Sequence, residues 1–200
     1  MPAKTLTLLG INGSTSDGAT DHLLREMLGR CPLVLTKNRR WRKVDMQVEI
    51  IGLELSPWNL PLFFRGHEPT DTISNILEKM KTADGIILAS PVHWFTMSTA
   101  MKNLLDWCVL LEDGWPLNGK PVGFGACGDT DGGQATLNAM AQVMAHLECV
   151  IPQNAMCFFR NTTITRLKNL EDCEQRWMLT DAPLVGMRVA EAALKNKFGQ

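Results

Sequence analysis

Apolar runs of strand length alternate along this 200-residue chain with segments whose apolar residues recur at helical spacing, and that alternation specifies a parallel sheet covered by helices. Five strands are expected, over residues 6–11, 48–53, 85–89, 121–126 and 150–159. Each is apolar on both faces for part of its length, as a strand between two helical layers must be. Pro152 makes the last the weakest, since proline donates nothing to a ladder. Between the strands, four sets each form one helical face: Leu24, Met27, Leu28 and Cys31; Ile73, Ile76, Leu77 and Met80; Met101, Leu104, Leu105, Cys108 and Leu111; and Leu137, Met140, Ala141, Met144 and Ala145. A last helix is expected over 183–197. With no linker rich in Pro, Gly or Ser, residues 1–200 read as a single domain.

Twenty Lys and Arg against twenty-one Asp and Glu leave a net charge of −1, so no whole-molecule field draws the chain to nucleic acid or to an anionic membrane. No apolar stretch is long enough to cross a bilayer, and the opening Leu6 to Leu9 run is too brief for a signal peptide. Six cysteines without a C-x-x-C pair speak against a disulfide scaffold, a zinc site or an iron–sulfur site. The expectation is a cytoplasmic protein with reduced thiols. The basic run from Lys37 to Lys43 reads as a solvated connection at the sheet edge or as a dock for an anionic ligand.

Ligands of an open parallel sheet bind beyond the carboxyl ends of its strands, so the loops after strands one, three and four carry the chemistry. Residues 12–20 are rich in Gly, Ser and Thr and lead into a helix, whose N-terminus favours anionic oxygens. They fit a phosphate cradle, without the Lys of a P-loop, and equally an N-capped turn. After strand three, His93, Trp94 and Phe95 place three consecutive rings where a loop is normally polar. A planar apolar ligand or a partner subunit would account for them. Asp106, on the helix that follows, suits ordering of loops or of an interface better than proton transfer. After strand four, Gly128, Asp129, Gly132 and Gly133 either admit a ligand edge or form a turn. Gly123, Gly125 and Gly128 match G-x-G-x-x-G, but the first two fall within the strand rather than at a helix start. Cys127, ending a buried strand, reads as an inert core thiol.

The Gly13-Ser14 loop, the stretch from Ala83 through Ser90-Pro91-Val92-His93-Trp94 to Lys102-Asn103-Leu104-Leu105-Asp106, the Leu117-Asn118-Gly119-Lys120-Pro121 entry to strand four, and Gly132-Gly133-Gln134 together resemble the NADPH-dependent FMN reductase family of flavodoxin-like proteins. The resemblance implies an α/β flavodoxin-like fold, a five-stranded parallel sheet of order 2-1-3-4-5 with helices on both faces. It implies non-covalent FMN, with Ser14, Ser16, Gly18, Ala19 and Thr20 around the phosphate. Pro91, Val92, His93, Trp94 and Phe95 would lie beside the isoalloxazine, and Gly128, Asp129, Gly132 and Gly133 on its other side. Many relatives carry Arg at the place of Ser16 and Tyr at that of His93. The iron–sulfur flavoproteins, which are similar, carry a cysteine cluster between strands two and three, where residues 55–71 contain none.

The function implied is an oxidoreductase in which NAD(P)H reduces the flavin and electrons pass to a small acceptor: a quinone, an azo compound or free flavin. The flavin carries that chemistry, so no protein acid or base is assigned as catalytic. A homodimer or homotetramer is implied as well. The alternative is a flavodoxin-like electron carrier or redox sensor serving a protein partner, which the near-zero net charge does not favour.

Overall fold

The computed structural model describes residues 4–14, 18–53, 60–160 and 173–199. Among these described residues, six strands and five α-helices follow in the order β1 (Lys4–Asn12), α1 (Ala19–Gly29), β2 (Val44–Gly52), α2 (Asp71–Thr82), β3 (Gly85–His93), β4 (Thr96–Met97), α3 (Thr99–Trp107), β5 (Val122–Gly128), α4 (Gly133–His146), β6 (Met156–Arg160) and α5 (Cys173–Phe198). The sheet order is β2-β1-β3-β5-β6, with those five strands parallel. Counted as parallel strands this is 2-1-3-4-5, the flavodoxin-like order expected. The two-residue β4 is an addition, pairing antiparallel with β3.

Alternation along the strands sends side chains into two cores. Leu6 and Leu8 of β1 and Ile87 and Ala89 of β3 pack on one face with Leu24, Met27, Val185 and Val189 of α1 and α5. Leu9, Ile11, Ile86, Leu88 and Phe124 face the helices α2, α3 and α4. Each fully buried Leu, Ile or Phe contributes roughly 1.5–3 kcal/mol, which fixes strand register because a one-residue slip would exchange the two faces. The helical faces proposed from spacing are buried except at Ala145, which lies in the last turn of α4 and is exposed.

Two strand expectations change. β2 is not buried on both faces: it is an edge strand with Val48 and Glu49 open to water, since β1 is its neighbour in the sheet. It also begins at Val44, before the apolar run. The last strand starts at Met156 rather than at residue 150, because Pro152 to Ala155 form a turn, leaving Val150 a single bridge to Pro121. The basic connection folds as turns between α1 and β2, with Trp41 buried beneath it. Gly123 and Gly125 lie inside β5, where Val189 of α5 and Met27 of α1 occupy the space that side chains would need. That packing, not a dinucleotide, explains the apparent fingerprint. At the opposite end of the sheet from the candidate site, Lys120 Nζ donates to the carbonyls of Lys81 and Ala83 and caps α2. Burial pushes its ammonium below the usual lysine range, partly opposed by Asp84.

Candidate active site

The carboxyl ends of β1, β3 and β5 converge. Gly13 N donates to Ala89 O at 2.8 Å, and Ser98 Oγ donates to Gly13 O at 2.6 Å while accepting from Met101 N. Ser98 thus caps α3 and ties its start to the loop after β1. Ser90 Oγ accepts from Ser98 N at 3.0 Å, closing the same knot. Asn12 Oδ1 accepts from Ser14 N at 2.9 Å, an Asx turn that sets the course of the chain beyond β1. The sequence placed Asn12, Ser90 and Ser98 in the loops after strands one and three without a role for their side chains. Ser98 stood three residues before Met101 in the N-cap position, and that was a usable signal.

At the start of α1, Gly18 is the N-cap and supplies no side-chain cap, so the first-turn amides of Ala19, Thr20 and Asp21 face outward from the helix end. Ser14 and Thr20 are buried beside them, and Ser16 lies outside the described residues. Asp21 is buried in that same turn. Its carboxylate accepts from Arg25 Nε at 2.6 Å and from Asn12 Nδ2 at 3.4 Å, so its charge is met by a guanidinium within the helix. Asp106 pairs with Lys102 one turn earlier on α3.

The residues after β3 are not the connecting loop expected from sequence. Ser90 to His93 continue the strand, and Val92 and His93 pair with Met97 and Thr96 across a two-residue turn. Trp94 and Phe95 form that turn at φ +45° and +64°, the positive pair of a type I′ hairpin, which normally selects Asn-Gly. Both rings are out in solvent, Trp94 92% and Phe95 60% exposed, and His93 is exposed beside them. Pro91 and Val92 are half-buried.

Across from the hairpin, the loop between β5 and α4 closes on it. A Cβ at Gly132 (φ +90°) would stand 2.5 Å from Phe95 Cα, and one at Gly128 2.8 Å from Val92 Cβ. Gly133 lies flat on the Phe158 ring. These glycines therefore admit the hairpin and the neighbouring strand. Asp129 is exposed in the loop between them. Burial raises the Cys127 thiol to about 12, as an inert core thiol requires. Among the described residues, no three His, Cys, Asp or Glu side chains meet in a metal-binding group, and no helix is long and apolar enough to cross a membrane.

Residues 6–163 match the NADPH-dependent FMN reductase family. The chain belongs to that family. Among its relatives, an iron–sulfur flavoprotein of Methanocaldococcus jannaschii is 45% identical over 67 residues, 33% of this chain and 35% of that one. An NAD(P)H-dependent FMN reductase of Pseudomonas aeruginosa is 25% identical over 119 residues, 58% of this chain and 57% of the relative. The matched stretches thus span about a third to somewhat over half of these relatives. An oxidoreductase of Corynebacterium diphtheriae has the same fold, with a TM-score of 0.72 at 15% identity, over 96% of this chain and 98% of that one.

The residues of this family member fit FMN. Uncapped amides and two buried hydroxyl side chains at the end of β1 suit a phosphate, and the ring-bearing hairpin extends from β3, the neighbour of β1 at one strand spacing of roughly 5 Å, with β5 on its other side.

Proposed function

We propose that this chain is a single-domain, cytoplasmic, FMN-dependent NAD(P)H oxidoreductase that passes electrons to a small acceptor such as a quinone, an azo compound or free flavin. The observation that carries this reading is the family match from the first strand into the segment after β6, laid over an uncapped helix start and a ring-bearing hairpin at the carboxyl edge of one sheet. Bound FMN would accept a hydride from the nicotinamide and return electrons to the acceptor. Ser14, Ser16, Thr20 and the amides of Gly18, Ala19 and Thr20 would hold its phosphate. Arg25 keeps the Asp21 carboxylate from repelling that phosphate. Pro91 to Phe95 on one side and Gly128, Asp129, Gly132 and Gly133 on the other would border the ring, and Ser98 fixes the distance between the two ends.

Self-association belongs to the same reading. Leu62, Phe64, Val109 and Leu110 are exposed, and the last two line a cleft of about 480 Å³ with Phe63 and residues 65–69. An apolar group of this kind suits the surface of a second copy. Light scattering on the purified protein should show a dimer or tetramer, and Phe64→Glu should shift it toward monomer.

The decisive experiment is reconstitution. After incubation with FMN and removal of the excess, the protein should retain flavin stoichiometrically, and NADPH or NADH should bleach its visible absorbance in a single turnover. Retention without bleaching by either nicotinamide would replace the reductase with the electron-carrier reading; no retention by the folded protein would remove both.

A further inference from the structure

The peptide joining Gly13 to Ser14 is held at both of its polar groups by side chains from different parts of the chain. Its carbonyl, on Gly13, accepts from Ser98 Oγ at 2.6 Å, 85 residues further along, and its amide, on Ser14, donates to Asn12 Oδ1 at 2.9 Å. A peptide is planar, so fixing its oxygen and its nitrogen together removes the rotation that a loop peptide otherwise keeps. Asn12, Ser14 and Ser98 are all buried, and water does not compete for these bonds. A hydroxyl has one hydrogen to donate, and Ser98 commits it to Gly13 while accepting from Met101 N at 3.2 Å. Glycine is required for so close an approach of α3: a Cβ at Gly13 would stand 3.0 Å from Met101 Cβ and 3.1 Å from Ser98 Oγ.

Resting on the FMN reading above, we infer that Ser98 is a positioning residue for phosphate recognition. Acting through Gly13, it holds the peptide that leads into Ser14 in one orientation and thereby favours FMN over riboflavin. Without the Ser98 hydrogen, the buried Gly13 oxygen would have no donor, and the peptide would turn to recover one. That rotation would swing the Ser14 side chain and set a carbonyl oxygen in competition with a bound anion for the uncapped amides of α1. A phosphate bound by charge-assisted hydrogen bonds depends on the angle of each donor. The uncharged hydroxyl that ends the riboflavin side chain depends on it far less.

The test compares two flavins on the flavin-free protein, with affinities from titration of flavin fluorescence. In Ser98→Ala, FMN affinity should fall about tenfold, the usual weight of one hydrogen bond, while riboflavin affinity stays nearly constant, so the ratio of the two falls by that factor. A purely structural role would weaken both flavins alike. Ser90→Ala supplies that comparison: it removes the bond to Ser98 N at 3.0 Å without touching Gly13, and should lower the urea midpoint while leaving the ratio unchanged. Asn12→Ala frees the amide of the same peptide and should reproduce the loss of preference, which keeps the inference testable if Ser98→Ala does not fold. Without any flavin, hydrogen exchange at the Ser14 amide, followed by NMR, should be faster in Ser98→Ala than in the wild type. A ratio unchanged in both Ser98→Ala and Asn12→Ala, or a Ser14 amide equally protected in Ser98→Ala, would overturn the positioning role. Failure of the reductase reading is distinct: FMN that is retained but not bleached leaves Ser98 with its role, whereas FMN not retained by the folded wild type removes both.

Discussion

Replacing Trp94 by Asn should make the flavin-free protein more stable. The residue sits at φ +45°, where an L side chain costs about 1–2 kcal/mol and Asn is tolerated with little of that penalty. Its ring is 92% exposed, so truncation forfeits only about 0.3 kcal/mol of the roughly 3 kcal/mol that full burial would supply. The expected net gain is about 0.5–1 kcal/mol, a rise of about 1–4 °C in Tm for a domain of this size. Urea unfolding followed by circular dichroism measures it as a higher midpoint at constant slope. Adding Phe95→Gly should change little further. Phe95 is 60% exposed, and the strain relieved there is offset by lost burial of about 1 kcal/mol and by the chain entropy of glycine, about 0.5–1 kcal/mol. A Trp94→Asn protein destabilised by more than about 0.5 kcal/mol would refute the reasoning, because it would mean that the ring is packed and the turn unstrained.

Three further outcomes follow from named contacts. Gly186→Ala should destabilise by at least about 2 kcal/mol in chemical denaturation despite the roughly 1 kcal/mol that Ala gains in a helix, since its Cβ would fall 1.7 Å from Met27 O and force α1 from α5. Stability should drop steeply in alkali: burial pushes the Cys31, Cys108 and Cys127 thiols up to about 12 from the ordinary thiol value of 9.0. The native state then keeps protons that the unfolded chain loses, so stability present below about pH 9 disappears as pH rises to 12. The loss is up to about 4 kcal/mol per thiol, and denaturant midpoints across that window should fall less in Cys127→Ala. Ser16→Arg should tighten FMN binding by about tenfold or more in equilibrium dialysis, because a charge-assisted phosphate contact is worth about 1.5–3 kcal/mol; an unchanged affinity would show that the phosphate does not lie at this loop.

Much of this architecture was legible because both sheet faces are covered. A strand buried on two sides must be apolar throughout, and β1, β3 and β5 show it; helices that cover one face must repeat at 3.6 residues, and Ile73, Ile76, Leu77 and Met80 do. β2 was misread as equally buried because an apolar stretch of Val48, Ile50 and Ile51 does not say which strand ends at an edge. That depends on how many neighbours the topology supplies. The hairpin was missed for a different reason. Ser90-Pro91 reads as a strand terminator, and Trp-Phe carries no turn signal, yet β4 pairs with the extension and Gly132 supports the turn from another element. Ser14, Gly18 and Thr20 were proposed for the phosphate from residue type and the family resemblance, and the Asx turn at Asn12 and the Asp21–Arg25 pair are local enough to be legible in sequence, whereas the bond from Ser98 to Gly13 emerged only when β1 and α3 were brought together.

The sequence by itself determined the layer order, the periodicity of each element and the chemistry available at the strand ends, because these depend on local spacing and side-chain type. Only the tertiary structure decided which strand lies at the edge, that two aromatic residues occupy a strained turn, and that this turn stands against an acidic loop about forty residues further along the chain. Those features come from contacts between elements distant in sequence, where the space left by a missing Cβ, rather than any local preference, sets the conformation.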